Sequence, residues 1–125
     1  MLTSDDIRRA LRDCYDPDIP LNIVDLGLLD QVEIALDPDA PGAGVPGVPP
    51  RHRVTIIITP TTNDEGKTAQ LSAQIANRLA GIETIYKTAV HLSAEPWTPQ
   101  RITPEGRRIL NLDNPFSILN NALPQ

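Results

Sequence analysis

The chain has 125 residues, 40% of them hydrophobic and 22% charged, with a formal net charge of −5 at pH 7, the balance of one soluble globular domain rather than of a disordered segment. Its longest apolar runs, such as Val54 to Ile58, fall far short of the roughly 20 residues that cross a bilayer, and Met1 to Asp6 lacks a basic, apolar leader pattern, so a cytoplasmic protein with no membrane partner is expected. A single cysteine, Cys14, excludes an internal disulfide framework and any Cys-x-x-Cys metal site.

The first element is a helix in which Ile7, Ala10, Leu11 and Cys14 fall on one stripe, with Thr3 or Ser4 as N-cap and acidic Asp5 and Asp6 at its positive end. Cys14 is therefore expected to point into the core as a small hydrophobe. Tyr15 to Leu29 follows, with Pro17 and Pro20 fixing φ at two sites and Leu21, Ile23, Val24, Leu26 and Leu28 carrying more apolar surface than a solvated loop needs. This is a packed, pre-shaped loop that holds three carboxylates, Asp16, Asp18 and Asp25. They offer a contact surface, a hard-metal or general acid/base site, or simple caps for nearby backbone N–H groups.

Leu28, Val32, Ile34 and Leu36 then alternate with more polar residues as in a strand with one buried face, interrupted by Asp30. A Pro/Gly-rich insertion at 38–52 separates this strand from Arg53 to Thr59, and its composition suggests a flexible hairpin connection. Isoleucines on both faces of the second strand make it central, with helix on one side and something less regular on the other. A turn through Thr59, Thr61, Thr62 and Asn63 leads into a second helix, for which Thr62 and Glu65 fit a capping box. Ala69, Leu71, Ala73, Ile75, Ala76, Leu79 and Ala80 form its expected sheet-facing side, and Gly81 ends it.

A third strand is expected over Thr84 to Ala94, parallel to the second, with Tyr86, Val90 and Leu92 on one face and Lys87, His91 and Ser93 on the other. Trp97, between Pro96 and Pro99, either closes the end of the sheet as a lid or offers a partner an aromatic anchor. A last short helix starts at Thr103 and Pro104. The fold class is thus α+β: a two-layer sandwich in α-β-β-α-β-α order, with helices packed on one face of a small three-stranded mixed sheet. One domain spans 1–112, and 113–125 forms a C-terminal tail.

Residues 1 to 40 carry a balance of −7 and the remainder +2. With no basic stripe interleaved with aromatics, nucleic acid is not an expected partner. The acidic third is either a solvated face or a surface for a basic protein. His52 and His91 are the only imidazoles, and no nucleophile or phosphate-binding glycine loop accompanies the carboxylates, so no enzyme is expected.

Three motifs, Tyr15-Asp16-Pro17-Asp18-Ile19-Pro20 running on to Leu28, Glu95-Pro96-Trp97-Thr98-Pro99, and Ile102-Thr103-Pro104-Glu105-Gly106-Arg107, occur in an order that resembles the small iron-sulfur assembly domain family, which includes SufT and PaaD-like metal-sulfur cluster biosynthetic proteins. The resemblance covers about residues 4 to 112 and implies an accessory or adaptor role in iron-sulfur cluster assembly or metalloprotein maturation. The assembly machinery or client apo-proteins are the implied partners, and a homodimer is left open. One departure stands out: where the family has Thr-x-Pro-Gly-Cys-Pro, this chain has Thr59-Pro60-Thr61-Thr62-Asn63-Asp64, with Asn63 near the cysteine's place. An amide is a poor iron ligand, so action by protein contact is expected, with no resident metal or cofactor and a cluster held only together with partner ligands. Asp16, Asp18, Asp25, Thr59, Thr62, Asn63 and Trp97 are the candidate contact residues. On this reading Asp16 and Asp18 can both become Asn with almost no change in stability. The alternative is a carboxylate-based divalent-metal protein or enzyme using Asp16, Asp18 and Asp25.

Overall fold

The computed structural model describes residues 2–111; the tail assigned to 113–125 lies outside them. Helix α1, Ser4–Leu11, is closed by Thr3: its hydroxyl accepts from Asp6 N at 3.2 Å, and the Asp6 carboxylate accepts from Thr3 N at 3.0 Å. These bonds hold the Asp6 carboxyl below its usual range. Strands β1, Leu29–Leu36, and β2, His52–Ile58, pair antiparallel, and β3, Ile85–Leu92, joins β2 in parallel to give the order β1-β2-β3. The parallel connection is made by helix α2, Glu65–Ala80. After a 3-10 turn at Pro99–Arg101 comes α3, Pro104–Leu110, capped by the Thr103 hydroxyl with proline at its start. The α+β order read from the sequence holds.

Val54, Ile56 and Ile58 of β2 project into a core shared with Ile7, Leu11, Leu71, Ile75 and Leu79, while the loop between α1 and β1 adds Ile19, Leu21, Ile23, Leu26 and Leu28. Cys14 lies in this core, 1% exposed. The opposite face of the sheet differs from expectation. There Thr55 and Ile57 are only half-buried, and their neighbours Gln31, Glu33, Ala35, Lys87, Ala89 and His91 are exposed, so no second layer covers the isoleucine of that face among the described residues. On β3, Val90 packs against the core, whereas Tyr86 and Leu92 stay exposed.

Two features of α2 also differ. Its N-cap is Asp64, whose carboxylate accepts from Lys67 N at 2.9 Å, while Thr62 instead accepts from Asp64 N at 3.1 Å. A charged acceptor at the positive helix end is the stronger cap. Its core face is Thr68, Leu71, Ile75 and Leu79, and Ala69, Ala73 and Ala80 face solvent, because the alanines lie off the single stripe that 3.6-residue spacing allows.

The Pro/Gly-rich connection is a chain of tight turns rather than a loose hairpin loop. Backbone bonds link Ala40 to Asp37, Ala43 to Ala40, Val45 to Gly42 and Val48 to Val45, and both Asp37 and Ala40 are buried. His52, read from sequence as the edge of the insertion, opens β2 and is itself buried, with Nδ1 3.3 Å from the Thr84 carbonyl.

Candidate functional site

The loop from Asp13 to Leu28 keeps its shape through short-range backbone bonds: Asp16 N to Leu21 O, Ile23 N to Cys14 O, and Leu28 N to Ile23 O. Gly27 lets it lie against the 3-10 turn. Its φ is +75°, and a Cβ there would sit 2.1 Å from the Arg101 carbonyl oxygen.

Asp25 is 2% exposed and acts as the internal brace of this loop. One carboxylate oxygen accepts from Arg12 Nη1 and Asn22 Nδ2, both at 2.8 Å, and the other from the Thr103 hydroxyl at 2.9 Å. Its backbone carbonyl accepts from Thr103 N at 2.8 Å. Burial pushes the carboxyl's pKa up, but the bonds from Asn22 and Thr103 and the Arg12 guanidinium outweigh it, and the pKa lies below the usual carboxylate range. Asp25 therefore joins α1, the loop and α3 from inside.

Asp16 is also buried. Its Oδ2 accepts from the backbone N–H groups of Asp18 and Ile19, each at 2.9 Å, and its Oδ1 accepts from the Thr61 hydroxyl at 2.8 Å. Asp18 faces solvent and reaches Lys67 Nζ at 2.7 Å, which raises the Lys67 pKa. Through these two acids the proline loop docks on the turn between β2 and α2. The three carboxylates point to three different sets of donors, and among the described residues no group of three His, Cys, Asp or Glu side chains is arranged to hold a metal. The carboxylate-metal alternative is not favoured by this geometry.

Thr59, fully buried, donates its hydroxyl to Asp30 at 2.5 Å, and Asp30 pairs with Arg101. Neither Asp30 nor Arg101 stands out in the sequence as a site residue. The signal available was the acid interrupting the apolar alternation of β1, a break that a partnered carboxylate at a strand start accounts for.

Beyond this chain of bonds, the turn residues Pro60 to Asn63 and the segment Ser93 to Trp97 line a cleft of about 240 Å³. Asn63 is exposed and has no hydrogen-bond partner among the described residues. Trp97 forms one wall: its indole packs against the core and donates from Nε1 to the Leu26 carbonyl at 2.7 Å, leaving part of the ring accessible. Thr61, Thr62, Asn63 and Trp97 thus line one site, with Asp16 bonded to its Thr61 and Asp18 paired with Lys67 of α2, while Thr59 and Asp25 lie in the interior. The cleft's own polar groups are hydroxyls, amides and the Glu95 carboxylate. It holds no thiolate, the usual ligand of an iron-sulfur cluster. Cys14 lies elsewhere, its Sγ 3.8 Å from the Gln74 carbonyl, and burial chiefly pushes its pKa up. These residues do not fit direct cluster ligation. His91 stands exposed on the open sheet face.

No family model matches the chain. A stretch of 35 residues, 28% of the chain, is 51% identical to the Fe-S protein maturation auxiliary factor of Porphyromonas gingivalis, and the match spans 33% of that relative's length. Among solved structures, a DUF59 domain of unknown function from Bacillus anthracis superimposes with a TM-score of 0.65 at 17% identity, covering 86% of this chain and 91% of that one. A conserved hypothetical protein from Thermotoga maritima gives 0.60 at 26% identity, over 86% and 93% of the two chains. No helix among the described residues is long and apolar enough to cross a membrane. With a fold like that of the DUF59 domain over most of its length and a 35-residue segment similar to part of a maturation auxiliary factor, the chain is similar to the SufT- and PaaD-like iron-sulfur assembly domain family, as its three motifs indicate.

Proposed function

We propose that this protein is a cytoplasmic, non-enzymatic accessory factor in iron-sulfur protein maturation that acts by contacting assembly components or client apo-proteins, the cluster being cargo held by partner ligands. The segment shared with a maturation auxiliary factor supports the pathway. The observation that supports the mechanism is the meeting of the Pro60 to Asn63 turn, braced from the proline loop by Asp16, with the Ser93 to Trp97 segment at one cleft that offers, among the described residues, an unpartnered amide where the family places a thiol. Asp18, Asn63 and the accessible part of Trp97 form the contact surface. Asp16, Asp25 and Thr59 hold it in shape.

The test is anaerobic co-purification of the tagged chain from its own host, with mass spectrometry of partners and an iron assay on the eluate. Capture of cluster-assembly components or iron-sulfur apo-proteins, without stoichiometric iron on the bait alone, is the expected result. Recovery of the chain by itself, or of iron stoichiometric with it after partners are stripped, overturns the reading.

A further inference from the structure

At the end of the sheet distant from the Asn63 cleft, the insertion between β1 and β2 encloses a cavity of about 630 Å³, whose walls include Leu36, Val45, Val48 and Pro50, with Arg51 and Arg53 also lining it. The volume falls within the roughly 300 to 1,000 Å³ typical of small-molecule sites. Leu36, Val45 and Val48 are 62%, 51% and 41% exposed, three of the large apolar side chains that this acidic protein leaves open to solvent. The cavity is shaped in advance by the successive turns of the insertion. Gly42, at φ +82°, seats Val48 so closely that a Cβ would lie 2.6 Å from Val48 Cγ1.

Two cations sit together at the cavity without a paired countercharge. Arg9, Arg12, Lys67, Arg78, Arg101 and Arg108 pair with carboxylates, whereas Arg51 and Arg53, like Arg8 and Lys87, do not among the described residues. Arg51 is held rigidly: Nε donates to the Glu83 carbonyl at 3.1 Å, Nη2 donates to the Ile85 carbonyl at 3.3 Å, and the guanidinium lies 5.1 Å from the centre of the Tyr86 ring. Nη1 is left without a partner among the described residues. Arg53 is exposed, and its side chain makes no hydrogen bond among the described residues. The one acid in the wall, Asp37, already accepts from Asp39 N at 2.9 Å, so the site keeps a net charge of +1.

We infer that this cavity binds a small aliphatic carboxylate, its chain against Leu36, Val45 and Val48 and its carboxylate on Arg51 Nη1 and the Arg53 guanidinium. Apolar walls with a few fixed polar groups describe such a site, and planar guanidinium donors match a carboxylate's two oxygens.

The experiment is a titration of the full-length, isotope-labelled protein with sodium octanoate and, separately, with octanol, followed by amide NMR. Saturable shifts centred on Leu36, Val45, Val48 and Arg51, with octanol at least tenfold weaker, are expected. Arg53→Gln should weaken octanoate at least fivefold without altering octanol or the thermal melt, and Val48→Asp should abolish both. Equal affinity for acid and alcohol, shifts outside the insertion, or no saturation overturns the proposal. So does binding confined to a leucine-ending peptide with a free C-terminus, which would make the occupant a protein terminus.

Discussion

The Thr61 hydroxyl donates to Asp16 Oδ1 at 2.8 Å across 45 positions of sequence, and this bond fastens the proline loop to the turn in front of α2. The same carboxylate closes the loop upon itself through Asp18 N and Ile19 N. A loop acid and a turn hydroxyl therefore set the distance between the proline loop and the turn that lines the cleft.

Asp16 and Asp18 consequently behave differently, against the expectation that both are replaceable surface acids. Asp16→Ala leaves two backbone donors and one hydroxyl without their acceptor in a buried setting, and a loss of about 2 to 3 kcal/mol is expected in a urea melt. Asp18→Asn removes only an exposed pair with Lys67 and should stay within about 0.5 kcal/mol. Asp18, and not Asp16, is the acid whose substitution reports on partner capture.

Asp25 gives a pH signature. Because its folded pKa is depressed, its stabilising contribution is present above the unfolded carboxylate value near 3.8 and disappears as pH falls through the lower folded value. Asp25→Asn should cost about 1 to 3 kcal/mol at pH 7, where Arg12 and Thr103 lose a charged acceptor. It should also flatten the decline in stability below pH 4. Melts from pH 7 to pH 2 of both proteins check this, and parallel curves contradict it.

The single thiol should be silent in the native protein. Cys14 is 1% exposed with a raised pKa, so a disulfide reagent at pH 8 is expected to label it only in denaturant. Asn63→Cys places a second thiol on the cleft, and one equivalent should react at once under native conditions. Anaerobic loading with iron and sulfide should then leave iron on Asn63→Cys and none on the parent. Iron on the parent would argue against a cargo held by partner ligands.

The helices and strands are legible in the sequence because burial is periodic: Ile7, Ala10 and Leu11 recur at helical spacing, and Val54, Ile56 and Ile58 alternate along β2. Period identifies an element but weighs small residues poorly, which is why Ala69, Ala73 and Ala80 of α2 look like core and are exposed, while Ala76 is half-buried. The candidate site is less legible. Its motifs mark the segments that converge, but the bonds that join them, Thr61 to Asp16, Trp97 to Leu26 and Arg101 to Asp30, link residues 45 to 71 positions apart. No local pattern encodes such pairs, so Arg101 and Asp30 pass unnoticed until the chain is folded.

Trp97 separates a lid from an anchor, because it is the only tryptophan and its indole N–H is already bound to the Leu26 carbonyl. Trp97→Phe keeps most of the ring against the core but removes that donor, and leaving a buried carbonyl unpaired should cost about 1 kcal/mol. If the exposed edge of the ring also meets the partner, captured complexes should blue-shift the wild-type emission as water leaves the cleft, and Trp97→Phe should weaken capture by more than Asp18→Asn does. If the ring serves only as a lid, emission should stay unchanged on complex formation while the roughly 1 kcal/mol loss remains. Stability and fluorescence together decide between the two roles, since the lid contributes to both free and bound protein whereas the anchor contributes only to the complex.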